Sequence, residues 1–273
     1  MKGKGTSYGA VTVMNAIPCG IGSTIGIGLR TKATFTDAKR QTVHLVDRPK
    51  VGQTLVRTCV MRTREKIGQS IEDGYHLEVR TEVPPSMGLK SSSAVCNAVI
   101  TAVLNAYGEK MEPLDIIRLG VECAKECKVT ITGAFDDACG CGLGGLVITD
   151  NSKNELLLRK RIPDYDVVVC IPNRRIPKSR VPVDEYRKLR EEYEAMVPRI
   201  EDDYLNVLTE NGRFVQGLIG RKTGLPQRAL NLGALAAGIT GTGPATAVIA
   251  EKGDGERIAE MLNCRTIVTR TRW

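Results

Sequence analysis

The stretch Pro84-Pro85-Ser86-Met87-Gly88-Leu89-Lys90-Ser91-Ser92-Ser93-Ala94 constrains the rest of the chain more than any other. Before it, residues 75 to 83 alternate apolar and polar side chains as a half-buried strand does, and the prolines end that ladder because they have no N–H to extend it. After it, Ala94, Val95, Ala98, Val99, Ala102 and Val103 recur at helical spacing, and Gly108 follows Tyr107 as a stop signal. The order is strand, tight loop, helix start. A helix start offers unpaired backbone N–H groups and the positive end of the macrodipole, which suits an anion. Gly88 lets backbone approach such an anion, and the hydroxyls of Ser91, Ser92 and Ser93 are placed to cap the helix, donate to phosphate oxygens or ligate Mg²⁺. An ordinary serine-rich cap is the competing reading, and the Pro-Pro and Gly-Leu-Lys flanks weigh against it. The Walker pattern is excluded, since no second glycine stands five residues before Lys90 with a Lys-Ser/Thr pair at its end.

At 273 residues and 42% hydrophobic content the chain can fill one large or two closely packed domains. No apolar run reaches the roughly 18 residues of a membrane helix. Met1-Lys2-Gly3-Lys4-Gly5 leads into a polar stretch and not an apolar signal core, so a cytoplasmic location is expected, with no membrane partner. The net charge of +8 fits either a nucleic-acid surface or an enzyme of anionic substrates. The basic residues are scattered, aromatics make up only 4%, and no helix-turn-helix, zinc-finger or RNP-like pattern occurs, so nucleic acid is not expected as a partner. Oligomeric state is not legible.

Nine cysteines at irregular spacing indicate reduced thiols. Cys123, Cys127, Cys139 and Cys141 are the one conceivable zinc set, and their spacings are not the usual zinc pairs. Gly20 and Gly22 give a weak dinucleotide pattern that a strand-like continuation contradicts, because the pyrophosphate needs a helix start.

Asp136 and Asp137 stand together in the otherwise apolar, Gly- and Cys-rich segment from Thr130 to Gly145, where surface charge explains them poorly. Strands are expected at 146 to 149, 155 to 159 and 166 to 171, the last a continuous apolar run of the buried kind. Helices are expected at 183 to 196, 200 to 208, 214 to 221 and 226 to 237, then a glycine loop from Gly238 to Ala245, a strand, a helix and a final strand. The change from strand-rich to helix-rich sequence near residue 180 suggests domains of 1–180, holding the nucleotide site, and 181–273.

Taken together, the segments 84 to 94, 133 to 145 and 238 to 245 resemble, in order and spacing, the three motifs of the galactokinase, homoserine kinase, mevalonate kinase and phosphomevalonate kinase (GHMP) superfamily. Its first motif is written Pro-x-x-x-Gly-Leu-Gly/Ser-Ser-Ser-Ala, and Lys90 stands here in place of a small residue. The segment Gly9 to Leu29 with Asn15-Ala16-Ile17, the triple serine, and Thr132 to Cys139 are most similar to the archaeal shikimate kinase branch. The resemblance implies an α+β, two-lobed fold, with a mixed N-terminal half and C-terminal helices on an antiparallel sheet. It implies ATP bound at 84 to 94 with Mg²⁺, and γ-phosphoryl transfer to the 3-hydroxyl of shikimate, the alternatives being homoserine or pantoate as acceptor, or a non-catalytic nucleotide- or nucleic-acid-binding protein that keeps the fold. A catalytic aspartate is implied in the second motif. The spacing from Gly133 and an Asp-x-Ala reading favour Asp136, while counting from Gly144-Gly145 and from Glu126 favours Asp137. The family's magnesium glutamate maps to Glu126, with Glu122 as alternative, beside Ser91. Asn15, Gly241, Thr242 and Gly243 are implied on the acceptor side. Arg174, Arg175, Lys178 and Arg180, in a proline-stiffened loop at a strand end, are the candidates to clamp a carboxylate.

Overall fold

Two long strands, β1 (Lys2–Met14) and β2 (Ile21–Asp37), pair antiparallel along nearly their whole length. The structure, a computed structural model, describes residues 1–46, 53–130, 132–173, 181–220 and 223–273. β1 begins inside Lys2-Gly3-Lys4-Gly5, where the lysines face solvent and the glycines face inward. A β-carbon on Gly3 or Gly5 would collide with the backbone at Ala102 or Ala98 of helix α2 (Ser91–Tyr107). α2 meets them with Ala94, Ala98, Ala102 and Ala106, buried at the four-residue spacing that keeps one helix face in line.

β2 is long enough to serve two strands on its other edge, β5 (Leu146–Asp150) along 21–25 and β4 (Tyr75–Thr81) along 31–37. β3 (Thr42–Leu45) joins β4 in parallel, and β6 (Glu155–Lys160) closes the sheet beside β5. Helices α1 (Thr54–Lys66), α3 (Pro113–Glu126) and α4 (Phe135–Leu143) pack with α2 over this sheet. α2 ends where Gly108 takes a left-handed φ of 72°, as its sequence position predicts.

The second sheet runs β10 (Thr266–Arg270), β7 (Asp166–Cys170), β9 (Thr246–Ala250), β8 (Ala236–Ile239), antiparallel throughout. Against it lie α5 (Val183–Arg187), α6 (Arg190–Met196), α7 (Ile200–Leu218), α8 (Leu225–Asn231) and α9 (Gly255–Leu262). One hydrophobic cluster joins the two parts, with Val11, Val13 and Met14 of β1 beside Val167 and Val169 of β7 and Tyr193 of α6. The architecture is the expected α+β one. Three particulars differ. β7 belongs to the second sheet, so the break between sheets falls after β6, ahead of the compositional change near residue 180. Residues 236 and 237, expected to end a helix, open β8, because Gly233 at φ 95° turns the chain after α8. The helices expected at 200–208 and 214–221 are one helix, α7, ending at Leu218.

Candidate active site

The starts of α2 and α4 point their first residues at each other. Each helix opens on a left-handed residue, Lys90 at φ 67° and Ala134 at φ 55°, and neither of these residues caps its first turn with its own side chain. Such a residue turns the chain sharply into the helix and leaves the first N–H groups to other partners. The Lys90 side chain, 5% exposed, runs back across the turn, and its Nζ lies 2.7 Å from Asp137 Oδ1 in the first turn of α4. Nζ also donates to Thr12 Oγ1 of β1 at 2.6 Å. Thr12 Oγ1 accepts a second bond, from the Gly241 N–H at 2.9 Å, and the Thr12 N–H donates to Thr240 Oγ1 at 2.9 Å. The three segments singled out by sequence therefore meet at Lys90.

The two loops fit because both are glycine-rich. Gly88, at φ 78°, has no room for a β-carbon, which would collide with the Thr240 carbonyl, and Thr240 Oγ1 donates to the Gly88 carbonyl at 3.1 Å. The missing β-carbon of Gly88 thus makes room for loop-on-loop packing. Gly22 has a similar use: a β-carbon there would press on the Asp136 carboxylate at 2.6 Å, so its neighbour is the protein itself and not a small ligand.

The adjacent aspartates differ in kind. Asp136 is 4% exposed. Its Oδ1 accepts from Asn151 Nδ2 at 2.7 Å, its N–H donates to Asn151 Oδ1 at 3.0 Å, and its carbonyl accepts from Thr24 Oγ1 at 2.9 Å. Burial first, then the charge of Asp137, push its carboxyl up to about 6, against the opposing pull of Lys90 and Asn151. Asp137 keeps its side chain 19% exposed on the Lys90 side. Asp137 is therefore the more reachable of the two carboxylates, and Asp136 the one held from within.

Family models match on both sides of this junction, that for the GHMP kinases N terminal domain over residues 54–145 and that for the GHMP kinases C terminal over residues 227–267. A protein of Methanothrix thermoacetophila named shikimate kinase is 38% identical over 95% of this chain and 89% of its own length. Another of that name from Pyrococcus furiosus is 35% identical over 96% and 95%. The chain belongs to the GHMP kinases. It shares their fold with a mevalonate kinase of Methanococcus jannaschii, TM-score 0.78 at 16% identity over 100% of this chain and 98% of that one. A homoserine kinase of Cytophaga hutchinsonii gives 0.73 at 19% over 100% and 95%. As a GHMP kinase the protein takes its phosphoryl group from ATP.

The other expected site residues of this GHMP kinase divide. Ser91, Ser92 and Ser93 are half-buried in the first turn of α2, and Asn15 lies against the glycine loop, donating from Nδ2 to the Gly241 carbonyl at 3.1 Å. Thr242 is half-buried beside the buried Gly241 and Gly243. Glu126 ends α3, is 42% exposed and pairs with Arg62 Nε of α1 at 2.9 Å, while its neighbour Lys125 packs on Gly133 just ahead of α4. Glu122 is exposed as well. The cysteine set does not assemble. Cys139 and Cys141 lie on α4, Cys127 donates to Thr58 Oγ1, and Cys123 packs with Cys59 and Cys96. Among the described residues no group of three or more side chains is arranged to hold a metal ion. Arg174, Arg175, Lys178 and Arg180 lie outside the described residues.

Sequence reasoning passed over Thr12, Asn151, Tyr193 and Asn211. Thr12 and Asn151 carry no motif. Asn211 does leave a trace, as an amide on the otherwise apolar stripe Val207, Leu208, Val215 of α7.

Proposed function

We propose that this GHMP kinase transfers the γ-phosphoryl group of Mg-ATP to the 3-hydroxyl of shikimate, forming shikimate 3-phosphate and ADP. The observation that carries the chemistry is the Lys90–Asp137 pair, 2.7 Å apart between two helix starts. Asp137 accepts the proton of the attacking hydroxyl as the O–P bond forms. An ammonium has three N–H groups, and Lys90 spends one on Asp137 and one on Thr12, leaving the third for an oxygen of the transferred group. The first turn of α2 and its serine hydroxyls offer donors to the phosphates of ATP. A magnesium ion bound with the nucleotide would neutralise phosphate charge, and Ser91 is the described residue suited to ligate it. Glu126, held by Arg62, does not fit that part.

The acceptor rests on the name shared by the curated relatives, at 34–38% identity over most of the chain. Asn15, Gly241, Thr242 and Gly243 are proposed to border it. By sequence alone, Arg174, Arg175, Lys178 and Arg180 are proposed to hold its carboxylate, since a guanidinium can bind such a group bidentately. The test is an ADP-release assay across shikimate, homoserine, mevalonate and pantoate. Shikimate should give the highest kcat/KM; a higher value with any other acceptor rejects the substrate while leaving the Asp137 chemistry in place.

A further inference from the structure

Behind the glycine loop lies a buried polar cluster that the chemistry above does not use. Asn211 of α7 has no exposed surface. A β-carbon on the next residue, Gly212, would collide with Gly238 of β8, so α7 lies directly against the strand that leads into the glycine loop. Asn211 Oδ1 accepts three hydrogen bonds: from the Asn15 N–H at 3.1 Å, from Asn15 Nδ2 at 3.2 Å and from the Tyr193 hydroxyl at 3.0 Å. Asn15 Nδ2 donates as well to the Gly241 carbonyl at 3.1 Å.

Backbone groups fix the orientation of both amides. Turning Asn211 over would set its NH₂ against the Asn15 N–H, and turning Asn15 over would set its oxygen against the Gly241 carbonyl. Asn211 Nδ2 is then left buried without a partner. A buried orphan donor is destabilising, and an apolar residue would avoid it, so what an asparagine gains at this position comes through its oxygen. From Gly241 the connection continues through its N–H to Thr12 Oγ1, from there to Lys90 Nζ, and so to Asp137.

We infer that Asn211 is a positioning residue for phosphoryl transfer: its amide oxygen pins the end of β1 at Asn15 to the glycine loop and so sets that loop's place against the Lys90–Asp137 pair. Asn211 touches neither reactant, and it belongs to the second sheet's helical layer while its effect falls on the first. The inference rests on the reading of that pair as the phosphotransfer centre.

The test uses the full chain with Asn211→Ala, Asn211→Asp and Tyr193→Phe. Aspartate keeps an acceptor for all three donors, and burial favours its protonated form, which avoids an unpaired charge at this position. Asn211→Ala should lower kcat about tenfold or more, the scale at which small misplacements act, with the KM for ATP within about twofold. Asn211→Asp should recover kcat to within about threefold, because it restores what the donors need. Amide exchange at Asn15 should quicken in the alanine variant and return to the wild-type rate in the aspartate variant. Wild-type kcat in Asn211→Ala, or an aspartate variant no better than the alanine one, overturns the inference. If Asn211→Ala does not fold, Tyr193→Phe decides: it removes one donor and should lower kcat about threefold, and an unchanged kcat overturns the inference. Should the wild-type chain fail to phosphorylate shikimate, the substrate reading fails alone, because exchange at Asn15 still reports whether Asn211 pins it.

Discussion

The first turns of α2 and α4 start alike and end up with opposite chemistry. Both follow a left-handed residue whose own side chain does not cap the turn. The α2 start carries Ser91, Ser92 and Ser93 and no acidic residue, so its dipole is left for an outside anion. The α4 start carries Asp136 and Asp137, so its dipole is met from within. Lys90 closes the circuit between them by sending the cation of one turn to the carboxylate of the other. A helix start is therefore left open or met by a carboxylate according to what its own first residues supply.

The largest break in this comparison should come from Asp137→Asn, which leaves both turns folded and removes the proton acceptor. Turnover in a steady-state assay should fall at least about a hundredfold, the range of general-base contributions, with the KM for ATP little changed. Asp136→Asn keeps the bond from Asn151 and should lose less than about tenfold. The reverse ranking would return the base to Asp136.

Lys90→Met comes next. It strips the cation from the α2 turn and leaves Asp137 without its partner, so both kcat and the KM for ATP should suffer, the latter by about tenfold for one lost charge-assisted contact. An unchanged KM for ATP would confine Lys90 to holding Asp137.

The α4 turn has a cost that pH exposes. The folded chain holds the Asp136 proton more tightly than the unfolded chain, at about 6 against 3.8. Below about pH 4 both states are protonated and nothing is lost; as pH rises to about 6 the unfolded state ionises first, and stability falls by roughly 3 kcal/mol. Asp136→Asn does not titrate. Its melting temperature relative to wild type should rise between pH 4 and 6 and stay level above, and a difference that does not change with pH would show that Asp136 is not held protonated.

The smallest effect is expected at the end of α3. Glu126→Gln loses one exposed ion pair with Arg62, so stability should change by less than about 1 kcal/mol and turnover by less than about twofold. A large loss of magnesium-dependent turnover would bring Glu126 back as a ligand.

Much of the fold was legible where pattern and punctuation agree. α2 is bounded by a loop with two prolines and by Gly108, and β7 by its unbroken apolar run. The start of β1 was not legible, because glycines that pack on the α2 backbone carry no hydrophobicity to reveal an inward face. β8 was misread because Ala236 and Ala237 prolong the apolar pattern of α8, and only the turn at Gly233 separates them.

At the site, sequence by itself determined the parts: an anion-accepting helix start, a cation at its edge, a pair of aspartates and a second glycine loop, since each is a matter of local residue order. Tertiary structure decided their use. Whether Asp136 or Asp137 is reachable depends on which one faces Asn151 and Gly22 and which faces Lys90, and a single step along a helix turns a side chain by about 100°. Glu126 was given its ion-pair partner 64 positions distant in the chain, and Asn211 was given its place by one 196 positions away. Contacts at such separations leave no local pattern, because what defines them is the packing of elements and not the order of residues.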